Sequence, residues 1–195
     1  MRPLVAMALV LLLLAPATYA QTPDHHAVMI SASPDEADPY ISASPSSAFA
    51  VYVVGLGLDQ LVKGYELRVA VPSDHFLLSA DLNPTNALNF GDDDGEFIVG
   101  TGGCFDGDPT YPMVTLTVLP LVPATDVLFC VTGTDPSSFP GGSPGYLQCD
   151  GTLVELELAE TGYRVPAGCL VENCLQYCPH AVEESSMGGV KSSYR

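Results

Sequence analysis

Tyr65-Glu66-Leu67-Arg68-Val69-Ala70-Val71 places apolar side chains at Tyr65, Leu67, Val69 and Val71 and charged ones at Glu66 and Arg68. Successive side chains of an extended chain point to opposite faces. A period of two with charges on one face therefore predicts a half-buried β-strand. The pattern returns in Met113–Leu119, with Val114, Leu116 and Val118 inward and Thr115 and Thr117 outward. It returns again in Thr152–Leu158, where Val154, Leu156 and Leu158 oppose Glu155 and Glu157. Phe49–Val54, Phe76–Ala80 and Phe97–Val99 are shorter candidates, and Val127–Val131 is a more continuous apolar run.

No segment sustains a helical period. The 17 prolines and 18 glycines cut the chain into pieces too short for long helices. Short strands separated by turn signals predict an all-β fold, an antiparallel, immunoglobulin-like β-sandwich.

The ends read differently from the body. Arg2, the apolar run Pro3–Leu14 and the small residues Thr18 and Ala20 have the layout of a cleavable signal peptide over 1–20. The run falls short of the ~20 residues that span a bilayer, and Pro16 stops a helix from lengthening. The expected divisions are therefore a signal peptide (1–20), a Ser/Pro/Asp-rich leader (21–46) with an edge strand at Ala27–Ile30, and a sandwich domain (47–160). A cysteine-containing extension (161–180) and a flexible tail (181–195) follow. Export implies a secreted, periplasmic or cell-surface location.

Six basic residues stand against 23 acidic ones. That balance excludes a nucleic-acid footprint, which needs clustered Lys and Arg, and disfavours anionic membranes. Six cysteines in an exported chain read as disulfides before they read as metal ligands. Cys104, Cys130 and Cys149 lie in the body and Cys169, Cys174 and Cys178 near the C-terminus, so full pairing requires at least one body-to-tail bridge. Cys130 and Cys149 flank the Ser/Gly/Pro loop Gly133–Gly145. If the strands on either side form a hairpin, these two cysteines face each other, which makes Cys130–Cys149 the expected bridge. The same reasoning sends Cys104 to a tail cysteine.

Asp92-Asp93-Asp94-Gly95-Glu96 is the metal candidate. Asp92, Asp94 and Glu96 offer hard oxygens around a turn, as calcium requires, and Asp106 and Asp108 would add to them if their loop folds nearby. The run lacks EF-hand spacing, and a solvated acidic turn is the simpler reading of it. No cofactor is expected, with calcium as the one exception this turn admits. Cys169, Cys174, Cys178 and His180 can be drawn as a zinc site, but exported thiols oxidise. Ser73-Asp74-His75 holds the residue types of a hydrolase triad, yet a triad is defined by convergence in space and not by adjacency. Tryptophan is absent, leaving Tyr40, Tyr52, Tyr111 and Tyr146 as the aromatics available for a carbohydrate-stacking platform.

Val51-Tyr52-Val53-Val54, Gly64-Tyr65-Glu66-Leu67-Arg68-Val69 and Val114-Thr115-Leu116-Thr117-Val118 together resemble strands of the cohesin-like β-sandwiches of secreted bacterial proteins. The resemblance spans roughly the middle 110 residues. It implies the sandwich fold and carries over no functional residue, because cohesins generally lack this cysteine content. The expected function is a secreted, non-catalytic module for protein binding, adhesion or extracellular structure. The alternatives are a carbohydrate-active hydrolase using two convergent carboxylates, and a calcium-dependent carbohydrate-binding module.

Overall fold

The computed structural model describes residues 26–58, 61–91, 95–107, 109–124, 126–139, 141–160 and 165–173. The segments expected as signal peptide and tail lie outside them, as do Cys174 and Cys178. Among the described residues there are thirteen strands and no helix. In chain order they are β1 (Ala27–Ser31), β2 (Tyr40–Ile41), β3 (Phe49–Leu56), β4 (Val62–Ala70), β5 (His75–Leu82), β6 (Leu88–Asn89) and β7 (Glu96–Phe105). There follow β8 (Thr110–Pro120), β9 (Val127–Thr132), β10 (Gly145–Gln148), β11 (Leu153–Glu155), β12 (Glu157–Leu158) and β13 (Cys169–Glu172).

Two sheets form the sandwich. The first runs β12-β1-β3-β8-β5 and the second β11-β10-β4-β9-β13-β2, with β7 on β4 and β6 on β7. Pairing is antiparallel except for β1 with β12 and β13 with β2. The alternating stretches behave as their pattern predicts. Tyr65, Leu67 and Val69 of β4 are buried while Glu66 and Arg68 are only partly covered. Val114, Leu116 and Val118 of β8 enter the same core, which Val51, Val53, Phe129 and Val131 complete. Each fully buried Val or Leu contributes roughly 1.5–3 kcal/mol.

Three expectations are corrected. Ala27–Ile30 is no edge strand: β1 lies between β3 and β12, and all five of its residues are buried. Its unbroken apolar run fits a strand covered on both faces. Val28 and Ile30 enter the main core, while Ala27 and Met29 join Val54, Leu56 and Ala159 in a second cluster. The leader and the C-terminal extension are thus parts of the sandwich, since β13 is also wholly buried between β9 and β2. Thr152–Leu158 is not one strand either. It divides at buried Leu156, whose N–H donates to the Pro144 carbonyl (2.8 Å), and passes from the second sheet (β11) to the first (β12). Leu158 consequently stays 38% exposed.

The expected Cys130–Cys149 bridge is replaced by Cys104–Cys149 and Cys130–Cys169. β9 and β10 do not form a hairpin. They share one edge of β4 end to end, β10 facing Val62–Glu66 and β9 facing Arg68–Ala70. Cys130 opposes Ala70, whereas Cys149 lies beyond Gln148, the partner of Val62. The length of β4 therefore separates them by roughly 25 Å, far beyond disulfide reach. Cys169 sits directly opposite Cys130 on β13, with Cα atoms 4.2 Å apart. This is a body-to-tail bridge, of the kind cysteine parity requires.

Candidate binding groove on the second sheet

The outward side chains of β4 alternate with those of its core, so Gly64 and Glu66 face away from the sandwich. Register extends that face across five strands. One row runs Leu88, Gly100, Gly64, Leu147 and Leu153; the next runs Ile98, Glu66, Gly145 and Glu155. Three glycines in the middle of a sheet leave a trough between larger side chains. The trough encloses about 190 Å³, with Gly64, Gly100 and Gly145 among its lining and Ile98, Leu153 and Phe139 as apolar walls. Glycine is required at Gly64 by close approach, since a Cβ there would lie 2.6 Å from the Val99 carbonyl oxygen; a Cβ on Gly145 would displace the Phe139 ring.

The Phe139 wall belongs to the loop between β9 and β10, and Glu66 ties that loop down. Its Oε1 accepts from the Ser138 N–H (2.8 Å) and the Ser137 hydroxyl (3.1 Å), and its Oε2 from the Ser138 hydroxyl (2.6 Å). Phe90 flanks the other side, beside Gly100. Around the trough Phe90 is 66%, Leu88 63% and Leu153 56% exposed. A cluster of large apolar side chains left in water on one sheet face is the mark of an interaction surface.

Of the five residues expected to bind metal, Glu96 and Asp106 are among the described residues. Asp92, Asp94 and Asp108 lie outside the described residues. Glu96 is buried at the start of β7, opposite Arg68, with the Asp135 N–H 3.4 Å from its Oε1. Asp106 follows the far end of that strand, where Phe105 pairs with Val62, six positions along β4 from Arg68; roughly 20 Å away, it cannot share an ion with Glu96. Among the described residues no group of three His, Cys, Asp or Glu side chains is placed to hold a metal. The tyrosines form no platform: Tyr111 and Tyr146 are buried, and Tyr40 and Tyr52 are half-buried. The Tyr65 hydroxyl donates to the Met113 carbonyl (2.6 Å) and that of Tyr111 to the Asn83 carbonyl (3.0 Å). Burial pushes the Tyr111 phenol up to about 12 and raises Tyr65 further, so both remain donors.

Ser73-Asp74-His75 has a sequel that adjacency did not reveal. Asp74 Oδ1 is 2.8 Å from His75 Nδ1, and Glu172, 97 residues away, places Oε2 2.5 Å from Nε2. The His75 side chain is fully buried, so the arrangement offers no nucleophile or base to a substrate. Glu155 and Glu157 lie on the wall of a second, open depression of about 620 Å³. Both are water-exposed, whereas a general acid working as one of a carboxylate pair needs a desolvated carboxyl.

No protein-family model matches the chain, and no curated protein matches it. Solved structures match in shape. A cohesin module from a Clostridium perfringens family 33 glycoside hydrolase is 14% identical with a TM-score of 0.47, covering 77% of this chain and 98% of that one. A non-cellulosomal cohesin from Archaeoglobus fulgidus is 10% identical with a TM-score of 0.46, covering 87% and 99%. The seventh ScaB type I cohesin from Pseudobacteroides cellulosolvens is 11% identical with a TM-score of 0.48, covering 80% and 95%. At these values the likeness concerns the arrangement of strands and assigns no residue or partner. The sandwich itself is established by the strand pairing above.

Proposed function

We propose that the chain is an exported, non-catalytic β-sandwich module that binds a partner protein through the outer face of its second sheet. The observation that carries this reading is the glycine-floored trough ringed by exposed Leu88, Phe90, Ile98 and Leu153. A volume of about 190 Å³ suits one large aliphatic or aromatic side chain, and a buried anchor of that kind supplies much of the energy of a protein interface. The net charge of −17 favours a basic partner and speeds encounter with it. Export rests on residues 1–20 and accords with two bridges among the described cysteines.

The test compares the mature protein with Leu153→Asp as immobilised baits for the extracellular proteins of the source cells. A partner retained by the wild type and lost from the variant, with unchanged thermal stability, is the expected result. Equal retention by both baits, or by neither, overturns the proposal.

A further inference from the structure

Of the strands that end a sheet, β12, β2 and β6 have two residues each and β11 has three. β5, which ends the first sheet, has eight. A short edge offers little backbone for a foreign strand to pair with, whereas a long one is a template. Phe76, Leu78, Ser79, Ala80 and Asp81 of this edge are all exposed, Phe76 by 58% and Leu78 by 49%. Leu121 and Val122, just past the end of β8, add exposed apolar surface beside the start of β5.

Two bonds bracket the ladder between β5 and β8. The Leu121 N–H donates to the Asp74 carbonyl and the Asn83 N–H to the Met113 carbonyl (2.9 Å each). In an antiparallel pair, bonded and non-bonded residues alternate. Followed inward from both ends, the register turns the backbone groups of Phe76 and Asp81 toward β8 and those of Leu77, Ala80 and Leu82 away from it. Among the described residues no strand pairs with β5 on that side.

Charge along this edge has one sign. The strands of the first sheet contain no Lys or Arg. Asp74, with 37% of its side chain exposed, and Asp81 stand at either end of the open run, roughly 20 Å apart along an extended chain.

We propose that the open edge of β5 takes up an extended segment of a partner protein, with β-branched residues in its middle and Lys or Arg at its ends. The segment extends the first sheet by one strand. Main-chain bonds to Leu77, Ala80 and Leu82 hold it, its apolar side chains lie beside Phe76 and Leu78, and its terminal charges face Asp74 and Asp81. A second copy of this chain is disfavoured as the occupant. Each copy carries a net charge of −17, and the bulge between Leu77 and Ser79 bends the edge away from a rigid counterpart. A flexible segment follows the bend. The edge belongs to the other sheet from the trough, so this contact stands or falls apart from that one.

The probe is a blocked peptide, Lys-Thr-Val-Thr-Val-Thr-Val-Lys, long enough to reach from Asp74 to Asp81. Its controls are the same peptide with Glu at both ends and one N-methylated at every Thr and Val. Amide shifts and hydrogen exchange of the mature protein are followed up to millimolar peptide. The Lys-ended peptide should protect the Leu77, Ala80 and Leu82 amides. Binding should be roughly tenfold weaker with Glu ends and absent after methylation. Ala80→Pro removes an outward N–H and leaves the ladder to β8 intact. It should keep the fold and weaken binding by roughly threefold to tenfold. No response at β5, or equal binding of the Glu-ended or methylated peptide, overturns the proposal whether or not the variant folds. Protection of the same amides without peptide, growing with protein concentration, overturns it too and assigns the edge to a second copy.

Discussion

The two sheets treat apolar residues on their outer faces in opposite ways. On the first, Ala27, Met29, Val54 and Leu56 project outward yet are buried, in one cluster with Ala159 and the half-buried Tyr52. On the second, Leu88, Phe90, Ile98 and Leu153 surround a trough floored by Gly64, Gly100 and Gly145. The first cluster is an extension of the core and stabilises the fold. The second leaves its apolar area available to a partner. Residues 157–159 extend the first sheet beside β1, with the Glu157 N–H donating to the His26 carbonyl (2.9 Å) and the Ala159 N–H to the Val28 carbonyl (3.0 Å), which sets Ala159 next to this cluster.

Substitutions on the two faces should therefore part company. Met29→Asp on the closed face buries a carboxylate without a partner and should cost about 3–5 kcal/mol. A large drop in the urea midpoint checks this, and a near-normal midpoint would mean that the cluster is open to water. Replacing Cys130 and Cys169 together by Ala removes a bridge with a sequence separation of 39 and should cost about 4 kcal/mol by loop closure, less if the reduced chain retains structure. Peptide mapping of the oxidised protein tests the same connectivity, and recovery of a Cys130–Cys149 peptide would refute it. Gly145→Ala pushes Phe139 off the sheet and should destabilise by about 1–3 kcal/mol while weakening partner binding. Leu153→Asp should change stability by no more than about 0.5 kcal/mol and still abolish binding. A loss of stability comparable to that of Met29→Asp would show that the second face is also core.

The strands with a clear period of two were legible in the sequence. Tyr65–Val69 and Val114–Val118 turn the expected side chains inward, since alternation is a local property of extended backbone. The central places of β1 and β13 were not, and for the same reason. Each is short, lacks a period of two and is paired with strands distant in sequence, so its central place depends on partners that local pattern does not name. The trough itself was not legible: Gly64 was read at the head of a strand and Gly145 at the end of a loop. With Gly100 they become a floor because register sets Gly100 against Gly64 and places Gly145 one row along.

Composition and local pattern by themselves determined the all-β class, the alternating core strands and the body-to-tail bridge that parity demands. Only the tertiary structure decided which cysteines meet, that Glu172 reaches His75, and which sheet face stays open. Each of those facts concerns residues tens of positions apart, brought together by strand order, and strand order is set by packing across the whole sandwich.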